Sequence, residues 1–144
     1  MKINRKGSRP MSIITIIVIL VAVIVVVATI IFTNLYENSY FARNKFEELA
    51  RRYYETSLYD NFLSEHKGED LSVAFEKYAE FGFDIKLRQL LNSEYLMNGQ
   101  NYRAYFETNV YTCDTNASSA KFIPYAPFGK KDYNLEIKLE CTKN

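Results

Sequence analysis

Cys113 and Cys141 are the two cysteines of this 144-residue chain, and His66 is its one histidine. A metal centre needs three or four converging ligands, usually paired at short spacing. Two cysteines 28 positions apart and a single distant histidine do not supply them. The chemistry open to the cysteines is a disulfide, which persists in oxidising compartments. Cys141 ends an alternation of Tyr133, Leu135, Ile137 and Leu139 with polar residues, and Cys113 shares parity with Tyr111. Both sulfurs are therefore predicted to face one core and to pair.

Nucleophilic catalysis of the Ser/His/Asp or Cys/His kind would have to use His66. That residue stands in the polar stretch Glu65-His66-Lys67-Gly68, where a solvated loop position is expected. The neighbouring carboxylates Glu47/Glu48 and Glu69/Asp70 point to different sides of a helix and read as surface or capping groups. Five glycines, none clustered, leave no phosphate-cradling loop. The expectation is a non-catalytic protein with no cofactor and no metal. Asn116-Ala117-Ser118 fits the N-glycosylation acceptor pattern, which matters only in a eukaryotic secretory pathway; otherwise it is a turn of small polar residues. Arg103, Tyr105 and Tyr125 are the residues expected to contribute to any exposed aromatic patch.

The elements that must position these residues divide the chain sharply. Lys2, Arg5, Lys6 and Arg9 give the first ten residues four positive charges and no acid. All 17 acidic residues lie after residue 33 and outnumber the 14 remaining basic ones there. A mildly acidic domain excludes nucleic acid as the expected partner, because phosphate neutralisation needs a basic face. All twelve tyrosines and nine of the ten phenylalanines also lie beyond residue 33, which predicts an aromatic core.

Between these regions, residues 12–33 contain no charge, glycine or proline. As a helix, residues 12–32 span about 31 Å, the thickness of a bilayer's hydrocarbon core. Residues 13–32 include sixteen Ile, Val, Leu or Phe, so insertion is favourable by roughly several kcal/mol. A secretory signal peptide has a shorter apolar region, about 7–15 residues, followed by a small-residue cleavage site. Val26 and Ala28 could imitate that site, but the cut would fall inside the apolar run. The reading adopted is a permanent anchor. Three regions are predicted: a cytoplasmic basic tail (1–11), a transmembrane helix (12–33) and an extracytoplasmic domain (34–144). The four tail charges set the orientation by the positive-inside rule. The expected partners are the lipid bilayer and another envelope or surface protein.

The domain is predicted to be α+β. Leu35, Ala42, Phe46, Leu49, Ala50 and Tyr53 share one helical face, and no Gly or Pro intervenes between Met11 and Glu65. The transmembrane helix is therefore expected to continue as one long amphipathic helix to about Leu58. Glu47–Arg51 and Glu48–Arg52 are expected i,i+4 pairs on it, and Tyr36, Tyr40 and Phe41 sit where interfacial aromatics belong. Asp70 should cap a short second helix that Gly82 stops. Residues 83–91 suit a helix better than a strand, and residues 97–101 read as a turn. Strands are predicted at 110–113, 121–126 and 133–141, forming a small C-terminal antiparallel sheet.

Arg5-Lys6-Gly7 followed by an apolar helix and then an amphipathic one resembles the layout of type IV pilins and pseudopilins. In that family the leader is cut after the glycine, before a Phe-Thr-Leu-Ile-Glu type sequence. Here Ser8 stands in place of the Phe and Ser12 in place of the Glu, so the resemblance is one of architecture over about 60 residues. It implies an alternative role as a minor subunit of a surface filament or secretion system.

Overall fold

The computed structural model describes residues 12–37, 39–93 and 101–144; the basic tail and most of the predicted turn at 97–101 lie outside them. The chain forms two compact units, residues 1–35 and 36–144. The first is dominated by helix α1 (Ile13–Glu37). From Ile13 to Asn34 this helix is long and apolar enough to cross a membrane, and none of that stretch is buried within the protein. Thr29 and Thr33 turn their hydroxyls back onto the carbonyls of Val25 and Thr29, at 2.8 and 3.0 Å. Both hydroxyls are thus satisfied inside the helix.

The expected single rod is interrupted. α1 ends at Glu37, and Ser39 takes the left-handed conformation (φ 53°, ψ 25°) before α2 (Tyr40–Tyr53) begins. A short polar side chain tolerates this conformation better than a β-branched or bulky one. Neither Gly nor Pro was needed to break the helix. The Ser39 carbonyl accepts from Arg43 N–H at 3.0 Å, which starts the new helix.

α2 buries Ala42, Phe46, Leu49 and Ala50 of the predicted stripe, with Tyr53 half-buried. It passes directly into a π-helical turn (Tyr54–Leu58) and then α3 (Tyr59–Glu65), well beyond the expected end. The wider turn places Tyr54 and Tyr59, five positions apart, on the same buried face with rings 6.2 Å apart. An uninterrupted α-helix would rotate those two residues away from each other.

The helix ends at Glu65, with His66 as its C-cap. Asp70 then caps α4 (Leu71–Phe81), accepting from Ser72 N–H at 2.8 Å. Gly82 closes it at φ 73°, where an added Cβ would lie 2.9 Å from the Phe122 carbonyl oxygen. Residues 83–91 resolve into both candidates: strand β1 (Phe83–Lys86), then helix α5 (Leu87–Leu91). The favoured all-helix reading fails because β1 joins the sheet edge-on, so Ile85 is buried by strand alternation and Leu87, Leu90 and Leu91 by helical spacing.

A 3-10 turn (Tyr102–Tyr105) precedes β2 (Tyr111–Cys113), β3 (Ser119–Pro124), β4 (Tyr133–Lys138) and β5 (Cys141–Lys143). Two antiparallel sheets result, β1-β3-β4 and β2-β5. The predicted strand over 133–141 is therefore two strands in different sheets. The chain crosses over at Leu139–Glu140, where Asp114 N–H donates to the Glu140 carbonyl (2.8 Å) and Glu140 N–H donates to Ser118 Oγ (3.1 Å). Ser118 is fully buried and serves this crossing.

One face of the larger sheet carries the core and the other is open, a one-sided α+β layer arrangement. Tyr54 lies flat on Phe122 from β3, Phe62 meets Phe75 at 4.5 Å and Tyr78 stacks on Phe83 at 4.0 Å. Ten of the described aromatics beyond residue 33 are thus buried core residues, while Tyr40, Phe81, Tyr105 and Tyr125 are exposed.

Candidate interaction surfaces

The structure joins Cys113 to Cys141 across β2 and β5, where the two residues are direct partners in the ladder. Cys113 is buried and Cys141 half-buried. The bond clasps a short strand that is also held by the β2–β5 ladder and by Asn144. Asn144 N–H donates to the Val110 carbonyl at 2.9 Å, and its amide nitrogen donates to the Thr108 carbonyl at 2.7 Å. Beside the clasp, Asp114 Oδ1 accepts from Asn116 N–H and Ala117 N–H at 2.8 and 2.9 Å. Those donors, Ala117 first, hold the Asp114 carboxyl below its usual range. Asn116 itself is exposed, while the Ser118 of its acceptor pattern is fully buried and already hydrogen-bonded.

The hydroxyls of three buried tyrosines, Tyr133, Tyr59 and Tyr102, tether the helices to the rest of the domain. Arg51 Nη1 donates to Tyr133 Oη at 3.1 Å, and that hydroxyl donates to Glu55 Oε1 at 2.7 Å. Arg51 is held in turn by Glu47 at 2.8 Å, the expected i,i+4 pair. Burial, then the bond to Glu55, raises the Tyr133 pKa above the ordinary phenol value. Tyr59 donates to the Phe128 carbonyl at 2.7 Å, and Tyr102 accepts from Arg52 at 3.0 Å. This last contact displaces the expected Glu48–Arg52 pair, and Glu48 instead meets Lys45 at 2.7 Å. The choice follows from tertiary packing: Tyr102 offers Arg52 a partner across the fold that the helix alone does not.

His66 is not the solvated loop residue that its neighbours suggest. It caps α3, half-buried, with its ring on Phe62 (4.2 Å between centroids) and Nδ1 bonded to the Phe62 carbonyl at 3.0 Å. No group of three His, Cys, Asp or Glu side chains among the described residues could hold a metal ion.

Arg103, Tyr105 and Tyr125 do not form one patch. Tyr105 lies beside Lys45 of α2, whose ammonium is 4.9 Å from the ring centre, and Arg103 pairs with Glu107 at 3.7 Å. Tyr125 begins the β3–β4 turn, which is pinned near Asp60 by Lys130 at 2.8 Å. Lys45 and Asp60 are separated by about 22 Å of helix, so the two ends are distinct surfaces. Val73 and Phe81 are exposed on α4.

Lys2, Arg5, Lys6 and Arg9 lie outside the described residues. Comparison with protein-family models, curated proteins and solved structures finds no match to this chain.

Proposed function

We propose that residues 12–33 are a permanent single-pass anchor and that the α+β domain beyond them works by binding another envelope or surface protein, in adhesion or envelope assembly, without catalysis. The observation that carries the anchor is the exposure of the whole Ile13–Asn34 helix, whose apolar side chains find no cover within the protein. In water such a surface is strongly unfavourable, whereas hydrocarbon solvates it. The disulfide supports an oxidising compartment for the domain. The tail charges Lys2, Arg5, Lys6 and Arg9 support a cytoplasmic N-terminus.

Protease added outside intact cells is expected to digest the domain while a tag at Met1 survives. Loss of the tag with protection of the domain would overturn the orientation, and a mature chain starting near residue 29 would overturn the anchor. The pilin-like alternative rests on the order of apolar helix, amphipathic helix and sheet. It requires removal of residues 1–7, so the intact mass of membrane-derived protein separates the two readings.

A further inference from the structure

β4 is an edge of the β1-β3-β4 sheet, and among the described residues no other strand pairs with its outer side. Tyr125 N–H donates to the Asp132 carbonyl at 3.0 Å and opens the β3–β4 ladder. Alternation then assigns the β3-directed bonds to Asn134, Glu136 and Lys138, and turns the main-chain groups of Tyr133, Leu135 and Ile137 outward. The other side of β3 agrees, since the Ser118 carbonyl bonds Leu87 N–H after β1. Among the described residues, nothing hydrogen-bonds the outward N–H and C=O groups of Tyr133, Leu135 and Ile137. Leu135 and Ile137 are also only half-buried on the core face. Such a row of donors, acceptors and partly open apolar side chains is a template for strand addition.

We propose that the occupant of this edge is β4 of a second copy, running antiparallel about a twofold axis through Leu135. The charge pattern carries the choice of partner and of register. Pairing outward groups with outward groups permits twofold centres at Asn134, Leu135 or Glu136 within the middle of the strand. A centre at Leu135 sets Lys138 against Asp132 of the other copy and Glu136 against Asn134, each twice by symmetry. Further out, it sets Glu140 against Lys130. A centre at Asn134 would oppose Glu136 to Asp132 and Lys138 to Lys130. A centre at Glu136 would oppose that carboxylate to itself and Glu140 to Asp132. The centre at Leu135 is therefore favoured by complementary pairs where both neighbouring registers meet like charges. Lys138 now pairs with Glu140 at 2.6 Å and Lys130 with Asp60 at 2.8 Å. All four side chains are well exposed, so exchanging these partners costs little. Two three-stranded sheets would join into one of six, with the Leu135 pair at its centre on the core face.

The test uses full-length protein in detergent micelles. Asn134→Cys and Glu136→Cys chains are made separately, mixed and mildly oxidised; both side chains are exposed, so folding is preserved. The mixture should give a disulfide-linked dimer in clear excess over either variant alone. Preferential crosslinking of Asn134→Cys with itself, or of Glu136→Cys with itself, would overturn the register. Equal absence of dimer in all three samples, with a monomer mass at every concentration, would overturn the self-pairing. So would crosslinking to a different protein in native membranes with no homodimer. As a second readout, Lys138→Glu should weaken dimerisation by about tenfold, since two complementary pairs become repulsive. An unchanged dimer affinity would count against the proposal. The inference does not depend on the anchor, and protease topology can fail without affecting it.

Discussion

Tyr54 and Phe122 lie face to face, with ring centroids 4.4 Å apart and planes within 4° of parallel. Tyr54 comes from the π-helical turn and Phe122 from the central strand β3, so this contact joins the helical layer to the sheet at its middle. Phe122→Ala is expected to cost about 3–5 kcal/mol of domain stability. Chemical denaturation of the variant measures it, and a loss near zero would mean that the two layers are held elsewhere.

The buried stripe of α2 makes a paired prediction. Leu49→Ala should cost about 2–5 kcal/mol, because Leu49 is fully buried. Glu48→Ala removes an exposed ion pair with Lys45 and should stay within about 1 kcal/mol. Equal shifts of the thermal midpoint in the two variants would show that the helix presents a different face.

Gly82 and Gly68 both have positive φ, 73° and 94°, but their surroundings differ. A Cβ at Gly82 meets the Phe122 carbonyl at 2.9 Å, whereas at Gly68 it meets nothing within 4 Å. Gly68→Ala should therefore cost only the backbone term, about 1 kcal/mol, and Gly82→Ala distinctly more, about 2–4 kcal/mol. Thermal unfolding of the two variants side by side reads the difference, and the reverse order would contradict the packing of α4 on β3.

Reduction addresses the clasp between β2 and β5. The cysteines enclose a segment with sequence separation 28, for which the chain-entropy account gives about 3.5 kcal/mol. Non-reduced, alkylated protein should carry no alkyl group on Cys113 or Cys141, and the Cys113→Ala/Cys141→Ala variant should melt lower. Two alkylated cysteines in protein purified without reductant would remove both the bond and its support for an oxidising compartment.

Stability should fall at both extremes of pH, for separate reasons. Burial raises the phenol pKa values of Tyr54, Tyr59 and Tyr133. Between the unfolded tyrosine value of about 10 and these raised values, the unfolded chain binds fewer protons, so stability declines as pH rises. At the other end, hydrogen bonds from Ser72 and from the Ala117 and Asn116 amides lower the carboxyl pKa values of Asp70 and Asp114. Their contribution is present above the unfolded carboxylate value of about 4 and is lost as pH falls through the lowered values. Denaturation midpoints across pH measure both limbs, and a profile flat above pH ~10 would contradict the burial of the three rings.

Patterns confined to one element were legible in the residues themselves. The apolar run at 13–32, the Ala42–Phe46–Leu49–Ala50 stripe, the Asp70 cap and the Gly82 stop all depend on periodicity or on local backbone chemistry. Tertiary structure decided what such patterns leave open. Ser39 breaks a stretch that has good helical spacing on both sides, and the π turn at Tyr54–Leu58 rephases the buried face to follow the aromatics it meets. Residues 133–141 alternate as one strand, yet Ser118 and Asp114 capture Glu140 and send the two halves into different sheets. Arg52 leaves Glu48 for Tyr102, and His66 turns onto Phe62. The open edge of β4 belongs to this second group. Alternation identified its inward and outward side chains, but strand order alone determines that the main-chain groups of Tyr133, Leu135 and Ile137 have no strand neighbour among the described residues, because an edge is a property of the assembled sheet.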